Sequence, residues 1–112
     1  MTRYLISFDD GAMAIPEQEL DAVGEAAHAV VRAAQQAGIW IFGGGVARGR
    51  ASIVATDGTV TDGPDPETKA VIGGFVIIDV PSRAAALDWA AQFAVACRCA
   101  QEVREIMFDP LV

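Results

Sequence analysis

The stretch Thr61-Asp62-Gly63-Pro64-Asp65-Pro66-Glu67-Thr68-Lys69, followed closely by Gly73-Gly74-Phe75, is the most informative part of this chain. It combines turn-forming residues with both signs of charge, so its backbone is constrained and its charges lie near a glycine pair. The apolar run Phe75–Val80 that follows is typical of a buried strand. The sequence therefore predicts a structured loop that leads directly into a central strand.

The hydrophobic pattern predicts helices and strands throughout the rest of the chain. Gly38 is a candidate C-terminal cap of the first helix, Ser82 is a candidate N-cap of the second, and Asp57-Gly58 is typical of a hairpin turn. The predicted elements are a strand over Arg3–Phe8, a helix over Leu20–Ala37, a strand over Ile39–Phe42, a hairpin of Ser52–Thr56 and Thr59–Thr61, a strand over Phe75–Val80, a helix that follows Ser82, and a strand over Glu102–Phe108.

This order of elements predicts an α+β fold of the ferredoxin-like, split βαβ type, in which two helices cover one face of an antiparallel sheet. Residues 1–112 then form a single domain. The other face of the sheet is bare, so Tyr4, Ile6 and Phe8, or the residues that alternate with them, need an apolar cover. We expect a second copy of the chain to provide it, which gives a homodimer with a ligand cleft between the two sheets.

Composition excludes several classes of function. The net charge is −7 with 8 basic residues and no clustered basic face, so we expect no direct contact with nucleic acid. No apolar run approaches the length of a membrane span and no leader pattern is present, so we expect a cytoplasmic protein. Cys97 and Cys99 are too few for a structural zinc site and badly spaced for a disulfide, and we expect reduced thiols, with neither metal nor cofactor.

Several spaced motifs resemble the YCII-related proteins of the DGPF type. They are Val60-Thr61-Asp62-Gly63-Pro64, Glu67-Thr68-Lys69, Gly73-Gly74-Phe75 and Ile78-Asp79-Val80. The resemblance implies a dimeric α+β barrel, and it implies an accessory role in transcription with a protein partner such as a sigma-type factor. The chain departs from the family pattern at Asp65, where the DGPF turn has phenylalanine, so the ligand of typical members need not be the ligand here.

The loop offers candidate ligand-binding groups. Asp62, Glu67 and Lys69 could polarise a small polar ligand, with backbone N–H groups near Gly63 and Gly73 as a shallow anion site. The alternative is structural: Asp62 and Pro64 fix a turn, and Glu67 pairs with Lys69 or a neighbouring subunit. For Asp62 the pattern favours the turn. Gly73 and Gly74 are equally compatible with close approach of a ligand and with a bulge at the start of the strand.

His28 is the only histidine in the chain. Some YCII-related proteins resemble enzymes with a His-Asp pair, among them a dehydrochlorinase of chlorinated hydroquinones, and this resemblance implies His28 as the base and Asp79 as the orienting acid. A solvated histidine at the edge of the core is the favoured alternative. Asp79 needs a partner such as Arg3 or Arg104 on a neighbouring strand, because an unpaired carboxylate on an apolar strand is costly. Two functions therefore stay open: binding of a small ligand or a protein partner, and cofactor-independent lyase or isomerase chemistry.

Overall fold

The computed structural model of the protein describes residues 1–47, 51–63 and 72–112. Its elements follow the predicted order. They are β1 (Thr2–Asp9), a single 3-10 turn (Glu17–Glu19), α1 (Leu20–Gln36), β2 (Trp40–Gly45), β3 (Ser52–Val54), β4 (Val60–Asp62), β5 (Ile72–Val80), α2 (Arg83–Cys97) and β6 (Glu102–Glu105).

Four strands form one antiparallel sheet in the order β2-β5-β1-β6. β1 pairs with β5 over nearly its whole length, with Tyr4 opposite Ile78 and Ile6 opposite Val76. β6 and β2 pair on the outer sides of β1 and β5. With α1 and α2 as the crossovers, this is the predicted ferredoxin-like α+β arrangement, and the fold class is confirmed.

The hydrophobic core lies between the helices and one face of this sheet. Tyr4, Ile6, Ile78 and Val80 on the strands are almost completely buried, and they cluster with helix alanines such as Ala34. Because successive strand residues point to opposite faces, Leu5, Ser7, Ile77 and their neighbours lie on the other, helix-free face. Of the two alternatives for β1, the structure therefore places Tyr4, Ile6 and Phe8 under the helices.

The local signals at turns and helix ends are confirmed. The Ser82 hydroxyl accepts a hydrogen bond from the Ala85 N–H at 3.1 Å and caps α2. Gly38 follows α1 with a φ of 74°, and Gly58 in the hairpin turn has a φ of 87°; both values favour glycine. The Thr59 N–H donates to Asp57 Oδ1 at 2.9 Å, and hydrogen bonds from the side chain and backbone of Thr59 lower the pKa of Asp57.

Three features differ from the sequence-based expectation. The last strand ends at Glu105 instead of Phe108. The hairpin β3–β4 forms a separate two-stranded sheet. On α2, helical spacing predicts an apolar ridge of Leu87, Ala91 and Val95, but Leu87 and Val95 are exposed whereas Ala86, Ala90 and Phe93 are buried. Because this helix is apolar around much of its circumference, its buried side cannot be identified from spacing alone.

Candidate functional site

A cavity of about 460 Å³ lies between α1 and the helix-covered face of the sheet. Its wall is mainly aliphatic and aromatic, and it contains few polar groups. The lining residues are Ile6, Phe8, Met13, Leu20, Val23, Gly24, Ala27, His28, Val31, Trp40, Gly43, Gly44, Gly45, Phe75, Val76, Phe93, Cys97 and Gln101. This cavity is on the opposite side of the sheet from the predicted inter-sheet cleft, which needs a second subunit and stays a prediction.

The α1 side of the cavity follows from helical spacing. Leu20, Gly24 and His28 are separated by four residues each, so they form one ridge along the helix. Val23, Ala27 and Val31 form the adjacent ridge. Both ridges line the cavity, and the glycine leaves a gap between the larger side chains of Leu20 and His28.

On the sheet side, the Phe8 ring covers the glycine pair at the start of β5. A Cβ atom added to Gly73 would lie 2.9 Å from Phe8 Cε2, and one added to Gly74 would lie 2.8 Å from two other atoms of the ring. The register between β1 and β5 also shifts at Phe8 and Asp9. Neither glycine lines the cavity, so the pair gives room to an aromatic side chain at a β-bulge.

Among the described residues, the polar side chains that line the cavity, apart from the indole of Trp40, are those of His28, Cys97 and Gln101. His28 is solvent-exposed, which puts the imidazole at the mouth of the cavity. Cys97 is buried in the wall, where burial and the neighbouring Cys99 raise the pKa of its thiol, so it is neutral at physiological pH. The Gln101 amide donates to the Cys99 carbonyl at 3.3 Å. The cavity wall therefore combines a mostly uncharged surface with one histidine at its entrance.

The structure does not bring His28 and Asp79 together. Ile78 and Val80 lie in the core under the helices, so Asp79 between them is on the helix-free face. Its Cα is opposite that of Arg3, yet its Oδ1 atom is buried without a hydrogen-bond partner among the described residues. Arg104, the other candidate partner, forms an ion pair with Glu102.

The loop residues are also separate from the cavity where the structure describes them. Asp62 is exposed on β4, opposite Ser52, and the Gly63 N–H donates to the Ala51 carbonyl at 2.9 Å. Neither residue lines the cavity. The other three candidates, Pro64, Glu67 and Lys69, lie outside the described residues.

Sequence reasoning missed most of the cavity-lining residues. Gly24 carried a usable signal, because a glycine inside a helix is unfavourable and this one lies between Leu20 and His28 on a ridge of α1. Gln101 and Met13 lie in connecting segments, and no periodicity identifies them.

Other types of site find no support in the part of the chain that the structure describes. Within residues 1–47, 51–63 and 72–112, His, Cys, Asp and Glu side chains form no group of three that could hold a metal ion. No helix among these residues has the length and apolar character that crossing a membrane requires.

Comparison with known proteins gives a family and a fold relative. The family model described as YCII-related domain matches residues 2–108. A similar solved structure is 5-chloro-2-hydroxyhydroquinone dehydrochlorinase from Burkholderia phenoliruptrix, in complex with 2,5-dihydroxybenzoquinone. The two chains are 15% identical, the match covers 97% of this chain and 96% of the other, and the TM-score is 0.54. A search of curated proteins gave no match. At this level of identity the structural likeness shows a shared fold.

Proposed function

The chain belongs to the YCII-related family, and from that premise we propose that it binds a small ring compound in the cavity between α1 and the sheet. One observation carries the proposal: the cavity is apolar over most of its wall and has a single imidazole at its mouth. A volume of about 460 Å³ lies in the range of small-molecule sites. Rings suit such a wall, since Phe8, Trp40 and Phe93 can pack against them in stacked or edge-on contacts. The ligand named for the fold relative, 2,5-dihydroxybenzoquinone, is a compound of this kind.

Filling the cavity tests this proposal. Ala27→Leu extends a side chain from α1 into the cavity, and Ala26→Leu adds the same side chain at an exposed position of the same helix that does not line it. Binding of single-ring phenols and quinones, 2,5-dihydroxybenzoquinone included, is measured by isothermal titration calorimetry. We expect Ala27→Leu to weaken binding at least about 10-fold, which is about 1.4 kcal/mol, and Ala26→Leu to leave it unchanged. Equal affinities of the two variants would overturn the proposal.

Proton transfer by His28 is the second candidate function. His28 lines the cavity, histidine is the side chain that most often serves as a general base, and the fold relative is named as a dehydrochlorinase. In a dehydrochlorination a base takes one proton as chloride leaves, so HCl is lost and no oxidant is needed. In this proposal His28 acts without Asp79, because the two residues lie on opposite sides of the sheet.

A variant at His28 separates binding from chemistry. We expect His28→Gln to retain ring binding within about 3-fold and to abolish chloride release from a chlorinated hydroquinone, because glutamine cannot act as a base. Chloride release that persists in His28→Gln would exclude His28 as the base and leave the binding proposal intact.

We further propose that the protein is a homodimer through the helix-free sheet face. Leu5, Phe42 and Ile77 give this face an apolar surface, and the Phe42 ring centroid lies 6.0 Å from that of Phe75. Phe42 is 62% exposed. The radius of gyration of the single chain is 15.6 Å, which is larger than the roughly 13 Å expected for a compact domain of this size, so the single chain is more extended than a compact monomer. A second copy would cover the apolar face, and it could provide a hydrogen-bond donor to Asp79 Oδ1, which has no partner among the described residues.

Charge on either outer surface tests this interface. Phe42→Asp puts a carboxylate on the helix-free face, and Val95→Asp puts one on the outer side of α2, where Val95 is 80% exposed. Sedimentation velocity at micromolar concentration should show a dimer for the wild-type protein and for Val95→Asp, and a monomer for Phe42→Asp. A monomeric wild-type protein would refute the dimer.

Two further expectations stay predictions. A cytoplasmic location agrees with the free thiols of Cys97 and Cys99. A protein partner such as a sigma-type factor rests on the family resemblance, and co-purification of a tagged copy from its own cells is the measurement that addresses it.

A further inference from the structure

Gly24 interrupts α1 at a position where neither the backbone nor the packing of the described residues requires a glycine. It lies within the helix, and its φ is not among the positive values. A Cβ atom added to it would meet no described atom within 4 Å. Gly43, Gly73 and Gly74 differ, because a Cβ atom at each would lie 2.9 Å or less from a neighbouring atom.

A glycine in a helix interior is unfavourable compared with alanine. At Gly24 the described residues offer no compensating contact, since the space beside its Cα atom is free of their atoms. That space is part of the cavity. The missing side chain therefore costs the free protein stability and enlarges the cavity at its α1 wall.

The position of the gap relates it to His28. The two residues are four apart on one ridge of α1, which corresponds to a rise of about 6 Å along the helix axis. If the edge of a bound ring lies against the Gly24 backbone, the His28 imidazole lies one helical turn further along the same wall. A side chain at position 24 would occupy that place.

From these observations we infer that Gly24 is a specificity-determining residue, whose missing side chain gives a single planar ring its place in the cavity beside His28. This inference rests on the proposed ring binding. It predicts a size limit: a methyl group at position 24 removes space that the ring and its substituents use, and a larger side chain closes it.

Stability and binding of one variant test the inference together. We expect Gly24→Ala to raise the melting temperature by about 4 °C, through the better helix propensity of alanine. We expect the same change to weaken binding of 2,5-dihydroxybenzoquinone by about 10-fold, because one methyl group in a fitted pocket has an effect of that size. Gly24→Leu should abolish binding. The matched control is Ala29→Gly, at an exposed position of α1 that does not line the cavity; it should lower the melting temperature and leave binding unchanged.

Each outcome is decisive. A higher melting temperature with weaker binding supports the inference. A lower melting temperature of Gly24→Ala would show that the fold itself requires the glycine, and unchanged binding would show that the ligand does not use the gap; either result overturns the inference and leaves the proposed ring binding standing. A wild-type protein that binds none of the ring compounds overturns the proposed function and this inference with it.

Discussion

The two ends of the helix-covered sheet face differ in how completely they are filled. At one end, Ile78 and Val80 pack against Ala34 and Ala86, and these side chains are 1% exposed or less. At the other end, Phe8 and Val76 face α1 across the cavity. Both ends are apolar, so hydrophobicity does not explain the difference. The open end has Gly24 on its α1 wall, where the space beside the Cα atom holds no described side chain, and this gap enlarges the cavity.

The largest contrast is expected from the same truncation at two positions of β5, Val80 at the filled end of the sheet face and Val76 beside the cavity. Val80→Ala removes methyl groups from the filled end, where the side chain is 1% exposed, and should lower the free energy of unfolding by about 2–3 kcal/mol. Val76→Ala removes the same atoms from the half-buried cavity wall and should cost only about 1 kcal/mol, because fewer contacts are lost there. Urea denaturation measures both values. Equal losses would mean that the open end is as tightly packed as the filled end.

Enlarging a residue should again lower stability at the filled end and not at the open end. Ala34→Leu forces a larger side chain into a position with 0% exposure, and we expect it to destabilise the fold by about 1–3 kcal/mol. Ala27→Leu adds the same atoms beside the cavity and should leave stability unchanged or higher. Thermal unfolding followed by circular dichroism compares the two variants. A clear loss of stability in Ala27→Leu would contradict an open cavity beside α1.

The parts of the structure that the sequence predicted depend on local signals. Asp57-Gly58, Gly38 and Ser82 each specify a turn or a helix end within a few residues, and the order of strands and helices was sufficient to predict the fold class. The position of the cavity could not be predicted in the same way. It depends on which face of the sheet the helices cover, and the β1 pattern, apolar at Leu5 as well as at Ile6, did not decide that.

The His28–Asp79 pair illustrates the same limit. Each residue was a reasonable candidate, but whether they meet depends on strand alternation relative to the helices. The glycine pair Gly73-Gly74 was compatible with a ligand or a bulge, and the Phe8 ring that covers it comes from a strand more than sixty positions earlier. Tertiary contacts of this kind carry no signal in the local sequence.

The starts of the two helices provide a smaller contrast. α2 begins with the Ser82 cap at the filled end, whereas Glu19 before α1 makes no side-chain capping hydrogen bond. Ser82→Ala should therefore cost about 1 kcal/mol. Glu19→Ala should cost less than about 1 kcal/mol, through loss of its exposed ion pair with Arg98, whose Nη1 atom lies 2.7 Å from Glu19 Oε1. Urea denaturation at low and high salt compares them, and only the Glu19 effect should diminish with salt. A salt-sensitive Ser82 effect would argue against capping as its origin.

The smallest effect should come from the Cys97 thiol in the wall of the open end. Burial, and after it the neighbouring Cys99, raise the pKa of Cys97 above its ordinary 9.0 in the folded protein. At pH values between the thiol pKa of the unfolded chain and that of the folded protein, the Cys97 thiol is protonated in the folded state and deprotonated in the unfolded state. The free energy of unfolding therefore falls as pH rises through that interval. Below pH 9 this contribution is fully present. We expect stability to decline above about pH 9 in the wild-type protein and to decline less in Cys97→Ala, as measured by denaturation at a series of pH values. A Cys97→Ala profile parallel to that of the wild type would show that the thiol is as well solvated in the folded protein as in the unfolded chain, and that the cavity wall at this point is wet.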